Sequence, residues 1–343
     1  MAYLITGGAG HIGNTLARAL LKEKKKVKIL ALPNEDVSSL DGLDVEIVRG
    51  DITDREFMKK FIQKGDIVFH LAGIIDIANM PYEKIKKVNY DGTVNVTDAC
   101  IENKAKKLVY TSTVHIIDPN SGHVLTEPTA FEHDNLVGNY AKTKALASKY
   151  ITEKSKAGLL DASIVYPSAV VGPYDFRLSE TGQVVLDYVN GKLNAYVKGG
   201  YNFVDVRDVA QGLIGASEKG RAGEGYILSG NYITVKEMMT ILNKKTGRKR
   251  VPVKIALWFL KLVAPIANLY YKVRGKKPVL SNESLYTINT NANFSHQKAT
   301  DEFGYNPRPV EQTLFDTVDW FIENKPELVN KKKFKNLNED KNV

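Results

Sequence analysis

Short apolar runs recur through the first 170 positions, and between them apolar residues fall three and four apart. The runs Ala2–Thr6, Val27–Leu30, Val45–Val48, Ile67–His70, Leu108–Thr111 and Ser163–Tyr166 predict strands buried on both faces. The intervening spacing, as at Ile12, Leu16, Ala19 and Leu20, predicts helices. Strict alternation of the two predicts an α/β fold, a doubly wound parallel sheet with its ligand site at the carboxyl ends of the strands.

Beyond about residue 172 glycine and proline punctuate more often. Strand-like pieces (Ala195–Val197, Tyr226–Leu228) mix there with helical patterns such as Val235–Lys244. This predicts a dinucleotide-binding domain over 1–171 and a smaller substrate-binding region over 172–326, with some chain crossing back to the first. No flexible linker separates them, so they should pack as one body. Residues 327–343 are polar and rich in Lys and Asn, and are expected to form a frayed tail.

The apolar segment Ile255–Val273 needs a separate decision. Lys254, Lys261, Asn268 and Lys272 would share one narrow stripe of a helix, leaving Trp258, Phe259, Leu262, Ile266 and Leu269 on a broad apolar perimeter. A buried helix or a substrate lid accounts for this, and so does a helix lying on a lipid surface in peripheral membrane contact. The charged interior and the length argue against an integral membrane span.

Charge and composition narrow the class. The 343 residues carry a formal net charge of +9, but much of it sits in Lys22–Lys28 and Lys331–Lys335, without interleaved aromatics. That pattern fits a solvated surface and not a nucleic-acid groove. The single cysteine, Cys100, excludes a disulfide framework or a CxxC metal site, and no metal is expected. No basic leader precedes the apolar Ala2–Ile5, so a cytoplasmic protein is the expectation, with a homodimer compatible.

The chemistry begins at Thr6-Gly7-Gly8-Ala9-Gly10-His11-Ile12-Gly13, between the first strand and the first helix. Gly8, Gly10 and Gly13 satisfy one dinucleotide spacing, and Gly7, Gly10 and Gly13 another. Either brings backbone amides and a helix N-terminus to a pyrophosphate. Gly10 could equally be needed for an unusual backbone angle. Asp51 and Ile52 follow the third strand, where they can border an adenine or make a turn. Leu71-Ala72-Gly73 ends the fourth with residues small enough to admit a ribose. His70 fits a packed strand-end histidine better than a catalyst. Ala31 and Leu32 end the second strand, and neither selects NAD over NADP.

Tyr140-Ala141-Lys142-Thr143-Lys144 places a phenol and an ammonium one helical turn apart. The ammonium favours the phenolate of a group that ordinarily titrates near 10. The hydroxyl run Thr111-Ser112-Thr113 ends the fifth strand and opens into the same crevice.

With these motifs the chain resembles the extended short-chain dehydrogenase/reductases, the NAD-dependent epimerase/dehydratase family, over nearly its whole length. Asn89-Tyr90-Asp91-Gly92-Thr93-Val94-Asn95, Tyr166-Pro167-Ser168-Ala169-Val170-Val171-Gly172-Pro173, Phe203-Val204-Asp205-Val206-Arg207-Asp208-Val209-Ala210 and the Lys298–Pro307 segment are similar to further family motifs. The resemblance implies a Rossmann-type fold and an NAD(P) cofactor. It implies Tyr140 as acid/base, Lys144 as its ribose-holding partner, Thr113 as the substrate-orienting hydroxyl and Asn89 as a water-linked support for the lysine. Gly7, Gly10, His11, Ile12, Gly13, Asp51, Ile52, Leu71, Ala72, Gly73, Tyr166, Pro167, Ala169 and Val170 are implied as cofactor contacts. Tyr166 stands where the family has Arg, Val171 where it has Tyr, and Ile116-Ile117 where sugar-nucleotide epimerases have Val-Tyr. The texture is nearest to dihydroflavonol-reductase-like and 3-beta-hydroxysteroid-dehydrogenase-like members. This implies alcohol/ketone redox on a hydrophobic molecule. Nucleotide-sugar epimerisation or dehydration is the alternative, and a non-catalytic NAD(P)-binding regulatory protein a second one.

Overall fold

Six strands of the first half, β1 (Tyr3–Thr6), β2 (Val27–Ala31), β3 (Glu46–Arg49), β4 (Ile67–His70), β5 (Lys107–Thr111) and β6 (Ala162–Pro167), lie where the apolar runs place them, within a residue or two at each end. In the computed structural model, which describes residues 1–75, 80–193, 195–247, 252–256 and 282–330, they form one parallel sheet in the order 3-2-1-4-5-6. Side chains alternate across it. Leu4, Leu30, Val68, Leu108 and Tyr110 enter the core on one face, and Tyr3, Ile5, Ile29, Phe69 and Val109 the core on the other. Both faces are covered by helices, among them α1 (His11–Lys22), α2 (Arg55–Phe61), α3 (Tyr82–Lys86), α4 (Gly92–Glu102) and α5 (Asn139–Lys156).

The later chain divides its strands. β7 (Ala169–Val171), β9 (Gly200–Asp205) and β11 (Asn231–Thr234) make a small mixed sheet, and β8 (Ala195–Tyr196) pairs with β12 (Val253–Lys254). β10 (Gly225–Leu228) instead joins the main sheet as a seventh parallel strand beside β6. That strand therefore belongs to the sheet body, although it lies far inside the later segment of sequence. Its burial fits the placement: Tyr226, Ile227 and Leu228 are all fully buried, as in a parallel strand covered on both faces. A third apolar cluster, with Val185, Leu186, Met238, Met239, Leu314 and Phe321, supports the small sheet.

The expected tail begins docked. Asn190 bonds the Leu328 carbonyl and the Asn330 amide, and Val329 is buried. Of the Ile255–Val273 segment, the Ile255 amide donates to the Tyr196 carbonyl (2.8 Å), while residues 257–273 lie outside the described residues. Among the described residues, no helix is long and apolar enough to cross a membrane.

Candidate active site

A cleft of about 2060 Å³ opens along the carboxyl ends of β1, β4, β5 and β6. At one end stands the glycine loop, and its three glycines are needed for three different reasons. Gly7 has φ +72, and a side chain there would press on the Ala72 backbone. Gly13 packs so closely on the Gly7–Gly8 backbone that a Cβ would collide with it. Gly10 has an ordinary backbone (φ −74, ψ 172), and a Cβ would meet only the Gly7 carbonyl at 3.3 Å. A side chain at Gly10 would instead occupy the cleft, so the backbone-angle explanation for this position falls away. Gly8 faces Ile29 in the core, whereas Gly7, Gly10 and Gly13 line the cleft. Gly10 caps α1 without a side-chain bond, and the first turn holds no acidic residue. The helix therefore presents its positive end to the cleft, an arrangement that fits a pyrophosphate.

His11, Ile12, Asp51, Ile52, Leu71, Ala72, Gly73, Pro167, Ala169 and Val170 line the same end. Asp51 also serves its turn, accepting the Thr53 amide at 2.8 Å. Tyr166 is a correction. It is 1% exposed and does not face the cleft; its ring packs on Gly225 on the far side of β6. Neighbouring residues of a strand point to opposite faces, so Pro167 in the cleft puts Tyr166 away from it. Two residues without a motif to mark them also reach this end. Glu35 accepts the Leu32 amide (2.9 Å) and pairs with Arg177 (2.8 Å), which crosses from the later chain.

The middle of the cleft holds the hydroxyl and ammonium groups. Tyr140 and Lys144 lie one turn apart at the start of α5, and Thr113 ends the segment after β5. The Thr113 side chain accepts the His115 amide at 3.2 Å and lines the cleft beside the Tyr140 phenol. Thr111, Ser112 and Thr113 all line the cleft, and the Ser112 hydroxyl is bonded to Ser148 (2.9 Å). Burial pushes the phenol up to about 12, partly offset by the nearby Thr113 hydroxyl. Lys144 is 4% exposed, donates to the Thr111 carbonyl (2.7 Å) and lies 4.5 Å from the Tyr110 ring centre. Burial pulls its ammonium down to about 7. Asn89 is fully buried on a short π-helical turn (Lys87–Asp91), a form that recurs at functional sites. It bonds the Ile74 amide and carbonyl (2.7 and 3.0 Å) and Thr143 (3.3 Å), not Lys144.

A family model described as NAD dependent epimerase/dehydratase matches residues 3–229. The chain belongs to the NAD-dependent epimerase/dehydratase family. It is 29% identical to sterol demethylase protein B of Methylococcus capsulatus over 94% of this chain and 99% of that one. It is 26% identical to human short-chain dehydrogenase/reductase family 42E member 1, over 93% and 86%. Among solved structures it resembles gox2253 (TM-score 0.81, 31% identity, 94% and 98% covered). It shares the fold of DesIV, the dTDP-glucose 4,6-dehydratase of Streptomyces venezuelae solved with NAD bound (TM-score 0.76, 22% identity, 95% and 98% covered). As an epimerase/dehydratase-family protein it is an NAD(P)-dependent enzyme of the short-chain dehydrogenase/reductase type, acting on a small molecule.

Past Tyr140 the family member's cleft changes character. Ile116, Ile117, Val124 and Leu136 line it from the long loop after β5, and Phe203 and Phe294 from the later chain. The two walls are joined by the Leu125 amide bonding the Asn293 carbonyl at 2.9 Å. His115 stacks on Tyr201 (6.0 Å between centres, 18° between planes), and Tyr201 meets Phe203 and Phe294 edge-on. No local motif marks His115 or Tyr201. They meet across 86 positions of sequence because β9 folds back beside the β5 loop.

Proposed function

We propose that this enzyme interconverts an alcohol and a ketone or aldehyde on a small hydrophobic molecule of steroid- or flavonoid-like shape. The observation that carries this reading is the wall beyond Tyr140, built from aliphatic residues and an aromatic cluster. A nucleotide sugar brings two phosphates that need cations there. Among the described lining residues at that end, Lys192 is the one lysine or arginine, and Asp187 lies 3.6 Å from it. A lipophilic ring system would bury apolar area against the same wall, at roughly 25 cal/mol per Å². The likeness to sterol demethylase protein B and to the 42E proteins supports the same direction.

In this reading Gly7, Gly10, Gly13, His11 and Ile12 would hold the pyrophosphate, and Asp51 and Ile52 the adenosine. Leu71–Gly73, Pro167, Ala169 and Val170 would enclose the nicotinamide ribose. A nicotinamide bound there supplies the hydride donor or acceptor. Thr113 holds the substrate oxygen by a hydrogen bond. Tyr140, protonated at neutral pH because burial raises it, gives its proton to that oxygen as a carbonyl is reduced, and takes it back in the reverse direction. Lys144 holds the ribose hydroxyls and, while charged, favours the phenolate that Tyr140 becomes. Asn89 is a positioning residue that fixes the Ile74 backbone beside them.

The test is consumption of NADH or NADPH over ketosteroids, flavanones and small cyclic ketones, beside binding of uridine and thymidine diphosphate sugars. Turnover of an apolar carbonyl is the expected result. Tight binding of a diphosphate sugar with no apolar turnover would replace this reading with epimerisation or dehydration.

A further inference from the structure

We propose that His70 is a positioning residue of the cofactor site, a neutral imidazole in its Nε2–H tautomer that staples the Leu71–Ile74 turn into shape before the dinucleotide arrives. The inference rests on the placement of the dinucleotide in the cleft described above. His70 ends β4 at 0% exposure, directly below that turn, and the proton-transfer scheme does not use it.

The hydrogens can be assigned one by one. The Thr93 hydroxyl donates to the Asn89 carbonyl at 2.7 Å, and its single hydrogen is thereby used. At 2.9 Å from His70 Nε2 it can then only accept, so Nε2 carries a hydrogen. A neutral imidazole has one N–H, which leaves Nδ1 bare and accepting. Its partner is the Thr6 hydroxyl at 2.7 Å, which in turn receives the Ala72 amide at 3.2 Å. The chain therefore runs in one direction: Ala72 N–H to Thr6, Thr6 to His70, His70 to Thr93, Thr93 to the Asn89 carbonyl. Burial first, and the nearby Lys144 charge second, hold the ring at about 3 and so neutral at working pH.

Both ends of this chain return to the same turn. It starts on the Ala72 amide, and it ends at Asn89, whose side chain holds the Ile74 amide and carbonyl. Between them sits Gly73, where a Cβ would lie 3.1 Å from Asn89 Oδ1 and 3.6 Å from Lys144 Nζ. On its other side the turn touches the glycine loop, since a Cβ on Gly7 would lie 2.8 Å from the Ala72 nitrogen. One buried ring thus ties strand β1, strand β4 and the Asn89 turn to a segment that lines the cleft. A buried, fully satisfied chain of this kind stiffens what it connects, and a binding site that is already shaped loses less entropy when occupied.

The experiment measures dissociation constants for NADH and NADPH, by nucleotide fluorescence, in the full-length protein and its variants. His70→Phe fills the volume and removes both bonds; it should weaken binding about tenfold or more while circular dichroism stays native. His70→Asn, whose Oδ1 can accept from Thr6, should recover much of that loss. Thr93→Val, which removes only the far link, should weaken binding by severalfold. Histidine 15N spectra of the unaltered protein should show one ring locked as Nε2–H from about pH 5 to 8. Unchanged nucleotide affinity in Thr93→Val and in whichever His70 variants fold would overturn the proposal, even if they melt at lower temperature. So would a protonated or Nδ1–H ring at that position. Failure of the unaltered protein to bind either nucleotide would overturn the assignment of the cleft, and this proposal with it.

Discussion

The two ends of the cleft are built from different material. The end proposed to hold the cofactor is backbone: glycines, a helix N-terminus and the amides and carbonyls of the Leu71–Ile74 turn, held by buried side-chain bonds. The end proposed for the substrate is side chain: aliphatic and aromatic groups from the β5 loop, from β9 and from the segment around Phe294. A phosphate-bearing ligand needs donors at fixed positions, and backbone supplies them with no rotamer to freeze. An apolar ligand needs only shape and dryness, which many side-chain combinations provide. Change at the cofactor end should therefore act nearly all-or-none, and change at the substrate end by degrees.

The strongest test of that contrast is Gly10→Val. Its backbone angles suit valine and a Cβ meets only the Gly7 carbonyl, at 3.3 Å, so circular dichroism should stay native and the melting temperature fall only slightly. Dinucleotide binding, followed by fluorescence titration, should fall by about a hundredfold or more, because the branched group stands where the pyrophosphate lies. Parallel loss of folding and binding would show that the position is structural after all.

Tyr140→Phe comes next. Turnover should drop by roughly 10²–10⁴ with NADH affinity nearly unchanged, since the phenol moves a proton and does not carry the cofactor. Stopped-flow reduction of a verified substrate measures the first quantity and nucleotide titration the second; unchanged turnover would remove Tyr140 from the mechanism.

Lys144→Met should impair both binding and rate, by about tenfold each, and yet stabilise the fold. The sign follows from the burial that lowers its ammonium from the ordinary range to about 7. Between that value and about 10.4 the unfolded chain holds a proton that the folded chain does not, so stability rises with pH across the window. The charged lysine is thus destabilising below pH 7, and the gain in melting temperature for Met should be largest there and fade towards pH 10. A variant that melts lower at pH 6 would show that the Thr111 bond and the Tyr110 contact outweigh desolvation. Cofactor affinity of the unaltered protein should weaken as pH rises through the folded value, as the ammonium is lost.

The smallest effect is expected at the mouth. Val124 is half-exposed and lines the apolar end, so Val124→Asp should leave folding and NADH affinity untouched. It should weaken an apolar ligand by about three- to tenfold, the order expected for losing a few buried methyl-sized contacts and adding a charge nearby. Stronger binding of a diphosphate sugar, unaffected by this change, would reverse the assignment of the two ends.

Much of the glycine-loop end of the cleft was legible in the order of residues, because its constraints are local. Gly7, Gly10 and Gly13 span a single strand–helix turn, and Tyr140 and Lys144 a single helical turn, so spacing along the chain is spacing in space. The same holds for the strands, whose double-sided burial forces continuous apolar runs. Tyr166 shows where this stops. Its motif was visible, but which face of β6 it occupies depends on register with β10, a strand from 60 residues later. Asn89 was legible as a water-linked support for Lys144, but its direct bonds, to the Ile74 backbone and Thr143 from a π-helical turn, were not. The His70 chain, the Glu35–Arg177 pair and the His115–Tyr201 stack join residues 23 to 142 positions apart, and none has a periodic or spaced signature. Sequence by itself determined the sheet, the glycine loop and the Tyr–Lys pair, since short-range sterics and hydrophobic periodicity specify them. Which polar groups meet in the interior, and what walls the substrate, was decided by tertiary structure, because those contacts form only when distant segments share one core and each buried donor must find an acceptor there.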